Sequence, residues 1–181
     1  MSTSEKSGSG SQKILDAMEK GIKVDQIRAA AGRLRGAGID VCLFIQFGYS
    51  GEDWEDIALT RQLIRDVCPD DMGISVSYPL PGTTFHERVV EQLSKTNWTD
   101  SDDLDMLFDG TYHPSFYKAL HRWVHAEHRM NTVRRRRRQR LPLIPLYAAH
   151  AGVMGARARA LRRRSPERAR AAELAGAPSA S

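Results

Sequence analysis

The stretch Ile39-Asp40-Val41-Cys42-Leu43-Phe44-Ile45-Gln46-Phe47, followed by Gly48 and Gly51, decides the fold of this chain. It is a nearly continuous apolar run rich in β-branched and aromatic residues, which is how a parallel strand covered on both faces reads. Glu52, Asp53, Glu55 and Asp56 then crowd the start of a helix, where the helix dipole favours acids. That helix runs on Ile57, Thr60, Leu63 and Ile64 to about Val67 and stops before Pro69. Residues 72–78 (MGISVSY) form a second strand. The rigid loop PLPGTT leads from it into a helix over 85–93.

Working outward, Ile14, Leu15 and Met18 have helical spacing and Gly21 closes that short segment. Residues 24–34 make a clearer helix, with Asp25 in its first turn, Ile27, Ala30, Ala31 and Leu34 on its apolar face, and Gly36 and Gly38 beyond its end. The order helix, strand, helix, strand, helix implies βαβ units and a parallel sheet with right-handed crossovers. Two parallel strands cannot bury both faces by themselves. The expected fold class is therefore α/β: a partial (βα) barrel half with parallel strands, followed by C-terminal helices and a disordered basic tail.

Residues 1–8, polar and rich in Ser and Gly, are expected to be a disordered N-terminus, and 9–94 the partial barrel. Residues 95–140 hold an acidic linker and a long amphipathic helix on Phe116, Leu120, Trp123, Val124 and Met130. Residues 141–181 form a tail rich in Arg and Ala, helical as far as about Leu161 and disordered beyond.

Charge follows the same division. Through Met130 there are 14 Lys and Arg against 20 Asp and Glu; beyond it there are 13 Arg against 2 Glu. The net charge of +5 thus comes from the tail and says nothing about the front of the chain. The Arg134 to Arg138 run with Arg140 could hold nucleic acid or anionic lipid through charge alone. Without interleaved aromatics, a solvated tail is the plainer reading, so nucleic acid is not an expected partner. Cys42 and Cys68 offer neither a disulfide framework nor a CxxC pair, which points to a reducing, intracellular setting. The uncharged stretch 141–156 is too short to span a bilayer and contains Pro142 and Pro145, so a cytoplasmic protein with no membrane span is expected.

The string Ser9-Gly10-Ser11-Gln12-Lys13-Ile14-Leu15 resembles the segment after the fourth barrel strand of radical S-adenosylmethionine (SAM) enzymes. The resemblance continues through FIQFGYSGE (44–52), Trp54-Glu55-Asp56 and YPLPGTTFHE (78–87), and into KTNWTDSDDL (95–104) and HPSFYKALHR (113–122). These resemble the C-terminal half of the radical SAM core, in the branch whose fuller members carry a cobalamin-binding domain. The resemblance implies that Ser9, Gly10 and Ser11 contact the ribose and methionine of SAM. It also implies that Ile45, Gly48 and Gly51 line the adenine site. The residues alone allow plainer roles: Ser11 as a helix N-cap, and the glycines as ordinary turn residues.

The resemblance further implies SAM and a 4Fe-4S cluster in the intact parent, with cobalamin as a possible addition. The parent's small-molecule substrate could be a tetrapyrrole, a lipid or a natural product. The CxxxCxxC loop that holds such a cluster is absent, and Cys42 and Cys68 cannot replace it, so no cluster is expected on this chain. The expected function is that of a fragment of a radical SAM enzyme. The alternatives are a non-catalytic subunit that completes a barrel with a complementing polypeptide, and a basic-tailed nucleic-acid binder. His121, His125 and His128 recur on one helical face, a spacing that can bind zinc. With no fourth ligand evident, a packed or solvated helix face is the plainer account.

Overall fold

The computed structural model describes residues 2–78, 82–89, 110–135 and 144–163. Nine elements follow in order: β1 (Ser2–Gly8), α1 (Gln12–Ala17), α2 (Val24–Gly36), β2 (Asp40–Phe47), α3 (Trp54–Val67), β3 (Asp71–Val76), α4 (Thr84–Val89), α5 (Pro114–Arg135) and α6 (Ile144–Arg163). The sheet order is β1-β2-β3 and both pairings are parallel. The expected acidic linker, the residues of the 85–93 helix beyond Val89, and the tail beyond Arg163 lie outside the described residues.

The sheet corrects two expectations. Residues 2–8, expected to be disordered, form a third strand, with Ser2 opposite Asp40 and Glu5 opposite Leu43. An extra residue enters between Glu5 and Gly8, which brings Gly8 opposite Ile45. Its sequence STSEKSG carries no apolar alternation, because its place is held by backbone pairing to β2. The second correction concerns β2, which is covered on one face only. Val41, Leu43, Ile45 and Phe47 are buried, whereas Cys42 and Gln46 are half-buried and Phe44 is 48% exposed. β3 alternates in step: Met72, Ile74 and Val76 point to the core, while Gly73 and Ser75 share the open face. The Phe44 ring lies across Gly73, where a Cβ would come within 2.9 Å of it.

The buried face packs on Ile27 and Ala31 of α2, on Ile57, Leu63, Ile64 and Val67 of α3, and on the apolar stripe of α5. Each helix has a local cause. Asp53 caps α3, accepting from the amides of Glu55 (2.8 Å) and Asp56 (3.0 Å), and Asp56 Oδ2 accepts from Asp53 N in return. The helix ends at Cys68, which takes a left-handed φ of 44° just before Pro69. Arg35 ties the end of α2 to that terminus, donating to the carbonyls of Val67 and Cys68.

Pro114 and Pro145 stand at the starts of α5 and α6, where the missing amide proton costs nothing. The two helices pack against each other and α5 is pinned to α3. Arg61 makes a two-pronged pair with Glu127 (2.7 and 3.0 Å) and lies 3.5 Å over the Trp123 ring. Trp123 stacks on Trp54 at 6.1 Å, and α6 approaches it at Gly155, where a Cβ would lie 2.7 Å from the indole. Among the described residues no helix is long and apolar enough to cross a membrane.

One-sided burial has a measurable consequence. Leu43→Ala, at a fully buried position, should destabilise the chain by about 2–5 kcal/mol in urea unfolding. Phe44→Ala, on the open face, should cost less than half as much. Equal losses at both sites would contradict an uncovered face.

Candidate functional site

In parallel α/β sheets, ligands gather at the C-terminal ends of the strands. Here those ends lead into the Ser9-Gly10-Ser11 string, the Gly48–Glu52 turn and Ser77-Tyr78.

Ser9 and Ser11 are fully buried and spend their hydroxyls inside the protein. Thr60 Oγ1 gives its proton to the Asp56 carbonyl, so it accepts from Gly10 N (2.9 Å) and from the Ser9 hydroxyl (3.0 Å). The Ser11 hydroxyl donates to Asp56 Oδ1 at 2.7 Å, and Ser11 Oγ caps α1 by accepting from Ile14 N. Gly10 has no room for a side chain, since a Cβ would lie 2.5 Å from Thr60 Cα. The string thus docks α1 against α3. Ile45 is buried on the helix-covered face, turned away from the open side of the sheet.

Gly48 and Gly51 both take a φ of 79°, the left-handed region that favours glycine. The turn between them closes on itself: Gly48 N donates to Glu52 Oε2 at 2.6 Å, and Glu52 N to the Tyr49 carbonyl at 2.9 Å. Glu52 is fully buried and its Oε1 has no hydrogen-bond partner. Burial pushes its carboxyl up to about 8, which outweighs the Gly48 amide, and the acids Asp56 and Asp53 add to the rise. Lys13 bridges Asp53 (3.1 Å) and Asp56 (2.6 Å) at the rim.

A cleft of about 430 Å³ opens beside these turns, lined by Met18, Lys20, Gln46, Tyr49, Ser77 and Tyr78 among others. Its wall is firm: Tyr49 stacks on Phe85 at 4.5 Å and its hydroxyl donates to the Ala17 carbonyl at 2.7 Å. The Ser77 hydroxyl is buried there without a partner, although its amide continues the β2–β3 pairing by donating to the Phe47 carbonyl. None of Ser9, Gly10, Ser11, Ile45, Gly48 and Gly51 lines this cleft. Gln46 was missed because β2 reads as apolar throughout, yet period-two alternation puts it opposite Ile45 and Phe47.

The helical histidines lie at the other end of the sheet. His121, His125 and His128 line a cleft of about 780 Å³ with Arg122, Arg129 and His150. The rings of His121 and His125 are 4.4 Å apart. Among the described residues no three His, Cys, Asp or Glu side chains come together as a metal-binding group. Cys42 and Cys68 are free thiols on different elements, so their donor set does not fit an iron–sulfur cluster.

No protein-family model matches the chain. Curated relatives match about half of it. A tRNA-2-methylthio-N(6)-dimethylallyladenosine synthase from Aromatoleum aromaticum is 36% identical over 94 residues, which is 50% of this chain and 21% of that protein. The synthase of the same name from Neisseria meningitidis serogroup A is 30% identical over 99 residues, 49% of this chain and 22% of that protein. The one from Methylobacillus flagellatus is 34% identical over 76 residues, 41% and 17% respectively. The chain thus spans about a fifth of the length of these relatives. The likeness is to a part of these proteins.

Glu52 makes stability depend on pH in a defined direction. Its folded value lies above the ordinary 4.5, so the folded state holds the proton longer than the unfolded chain does. Its contribution is fully present below 4.5 and is lost as pH rises towards about 8. Glu52→Gln keeps an acceptor for Gly48 N and removes the titration. Urea unfolding across that window should show a falling stability in the parent and a flatter profile in the variant. Parallel profiles would rule out a buried, protonated Glu52.

Proposed function

We propose that β1 together with residues 9–94 is the C-terminal half of a radical SAM barrel, completed by further strands from a longer polypeptide or from a complementing chain. The observation that carries this reading is the sheet itself. β2 and β3 are packed by helices on one face and open on the other, β1 extends the sheet by parallel pairing, and a cleft lies at the C-terminal ends of β2 and β3. That is the form of one wall of a barrel whose interior is unfilled. The partial identity to radical SAM synthases supports it.

The cluster does not fit the residues present, so no step on this chain runs through iron. SAM does fit the strand-end cleft, where the unpartnered Ser77 hydroxyl and Gln46 offer hydrogen-bonding groups beside the aromatic wall of Tyr49 and Phe85. When SAM is bound beside a reduced cluster it supplies a hydrogen-abstracting radical. The part of this chain is to orient and to exclude water: Tyr49 and Phe85 close one side, and Ser77 and Gln46 set the polar contacts. In this reading Ser9, Gly10 and Ser11 act from behind by holding α1 in place. Gly48 and Gly51 shape the turn above the cleft, and Ile45 supports it from the core.

Cobalamin as a second cofactor rests on the resemblance of the quoted strings taken together, and residues 79–81 of YPLPGTTFHE lie outside the described residues. The matched relatives are named for a tRNA product, so an RNA substrate joins the small molecules considered for the longer protein.

Two measurements on the full chain test this reading. Titration with SAM, followed by amide NMR, should move the Gln46 and Ser77 signals with a Kd on the order of millimolar, since only one wall of the site is present. Anaerobic reconstitution with iron and sulfide should leave the chain colourless and form no 5′-deoxyadenosine. Micromolar SAM affinity, or a brown chromophore with 5′-deoxyadenosine formation, would overturn the half-barrel reading.

A further inference from the structure

The cleft at the N-terminal end of β3 is not used by that proposal. It lies between α5, α6 and the start of β3, on the far side of the sheet from the strand-end cleft. Its α5 wall carries His121, Arg122, His125, His128 and Arg129, and α6 contributes Tyr147 and His150. Over α5 and α6 together there are nine Lys and Arg against one acid, Glu127, and that acid is held by Arg61 and Arg65.

We infer that this cleft binds a stretch of RNA backbone, with Arg122 and Arg129 as its phosphate contacts. Arg28, Arg61 and Arg65 are ion-paired with carboxylates, but Arg122 and Arg129 are exposed and have no carboxylate partner among the described residues. Seven residues separate them, about 10 Å along the helix axis. That spacing lets the two guanidinium groups contact different phosphates of one strand. Imidazole and Tyr147 rings between and opposite them offer faces on which bases stack. Asp70 and Asp71 close the β3 end with an oxygen each on the amides of Val41 (3.0 Å) and Met72 (2.8 Å), so the wall open to phosphate is α5.

His125 adds a pH response. Its free value is pushed down to about 4 by burial, then by His121, Arg129 and His128, with Asp71 opposing them. A phosphate in the cleft offsets those positive neighbours and favours the imidazolium. The value therefore rises on binding, and affinity increases as pH falls. Arg122, His150 and Tyr147 face the same space and belong to the same response.

The choice of RNA over other polyanions rests on the RNA-directed part of the proposed function. The site itself needs neither SAM nor a completed barrel. The test is fluorescence anisotropy of labelled, unmodified tRNA with the full chain, in the absence of SAM. Arg122→Gln with Arg129→Gln should weaken binding roughly tenfold or more. It should also lower the slope of log Kd against log salt by about 1.5, the loss of two phosphate contacts. Arg122→Lys with Arg129→Lys should retain most of the binding, and Arg33→Gln on the exposed face of α2 should change nothing. Circular dichroism of the Gln double variant should match the parent.

Unchanged affinity in a folded Gln double variant would assign any RNA binding to the Arg134–Arg138 run and overturn the inference. Capture by phosphatidylserine vesicles without RNA binding would overturn it in favour of lipid. Displacement of tRNA by millimolar inorganic phosphate at fixed ionic strength would reduce the site to one for a single anion. RNA binding with no SAM response would leave this site standing and remove the half-barrel reading.

Discussion

The close approach of the Gly10 backbone to α3 is the constraint on which the rest of the structure depends. With Thr60 Cα where a side chain would begin, only glycine fits. The serines on either side then satisfy each buried polar atom of the contact. This joins the end of β1 to the helix between β2 and β3, and so sets the plane of all three strands. α3 in turn carries the Asp53 cap beneath the Gly48–Glu52 turn and the Arg61 side chain that engages Trp123 and Glu127. A change at this contact therefore reaches both clefts without touching either.

Burial of polar groups separates structural chemistry from chemistry left open. Ser9, Ser11, Asp56 and Thr60 are buried and fully engaged, as interiors require. Glu52 Oε1, the Ser77 hydroxyl and the Tyr117 hydroxyl are buried and unengaged, each near the C-terminal ends of the strands or the helix above them. Burial also raises Tyr117, with Glu52 adding to the rise, so neither group readily carries a charge near the other. The bare Ser77 hydroxyl, one residue past β3, is the group on which the proposed ligand contact rests.

How legible this was depended on whether side chains or backbone carried the signal. Helices α2, α3 and α5 were readable because their apolar stripes, caps and terminators agree. β2 was readable as a strand but misread as covered on both faces, because Cys42 and Phe44 are apolar residues on the open side. β1 was not readable at all. STSEKSG has Thr3 as its one β-branched residue and no apolar alternation, and pairing with β2 makes it a strand. The site shows the same limit. The Ser-Gly-Ser string and the glycine turn were visible as motifs, yet whether they face a ligand or a helix is a tertiary property. Gln46 lies inside the FIQFGYSGE string without standing out there, and Ser77 sits one residue before YPLPGTTFHE; two-residue alternation was the signal that could have found Gln46.

The two ends of this sheet carry opposite chemistry, and that division follows from chain direction. Parallel strands place every β-to-α turn at one end, where the acids that favour helix N-termini collect: Glu52, Asp53, Glu55 and Asp56, with Lys13 as their counter-charge. At the other end the strands begin, and the space beside them is filled by α5 and α6, which bring Arg and His with almost no acid. In the proposed reading a polyanion meets Arg122 and Arg129 in the helical cleft, whereas the strand-end cleft balances Lys20 with Glu19. A compact cofactor held by hydroxyl and amide groups takes the latter. The two proposed sites are compatible with each other, because the parallel topology places their clefts at opposite ends of one core.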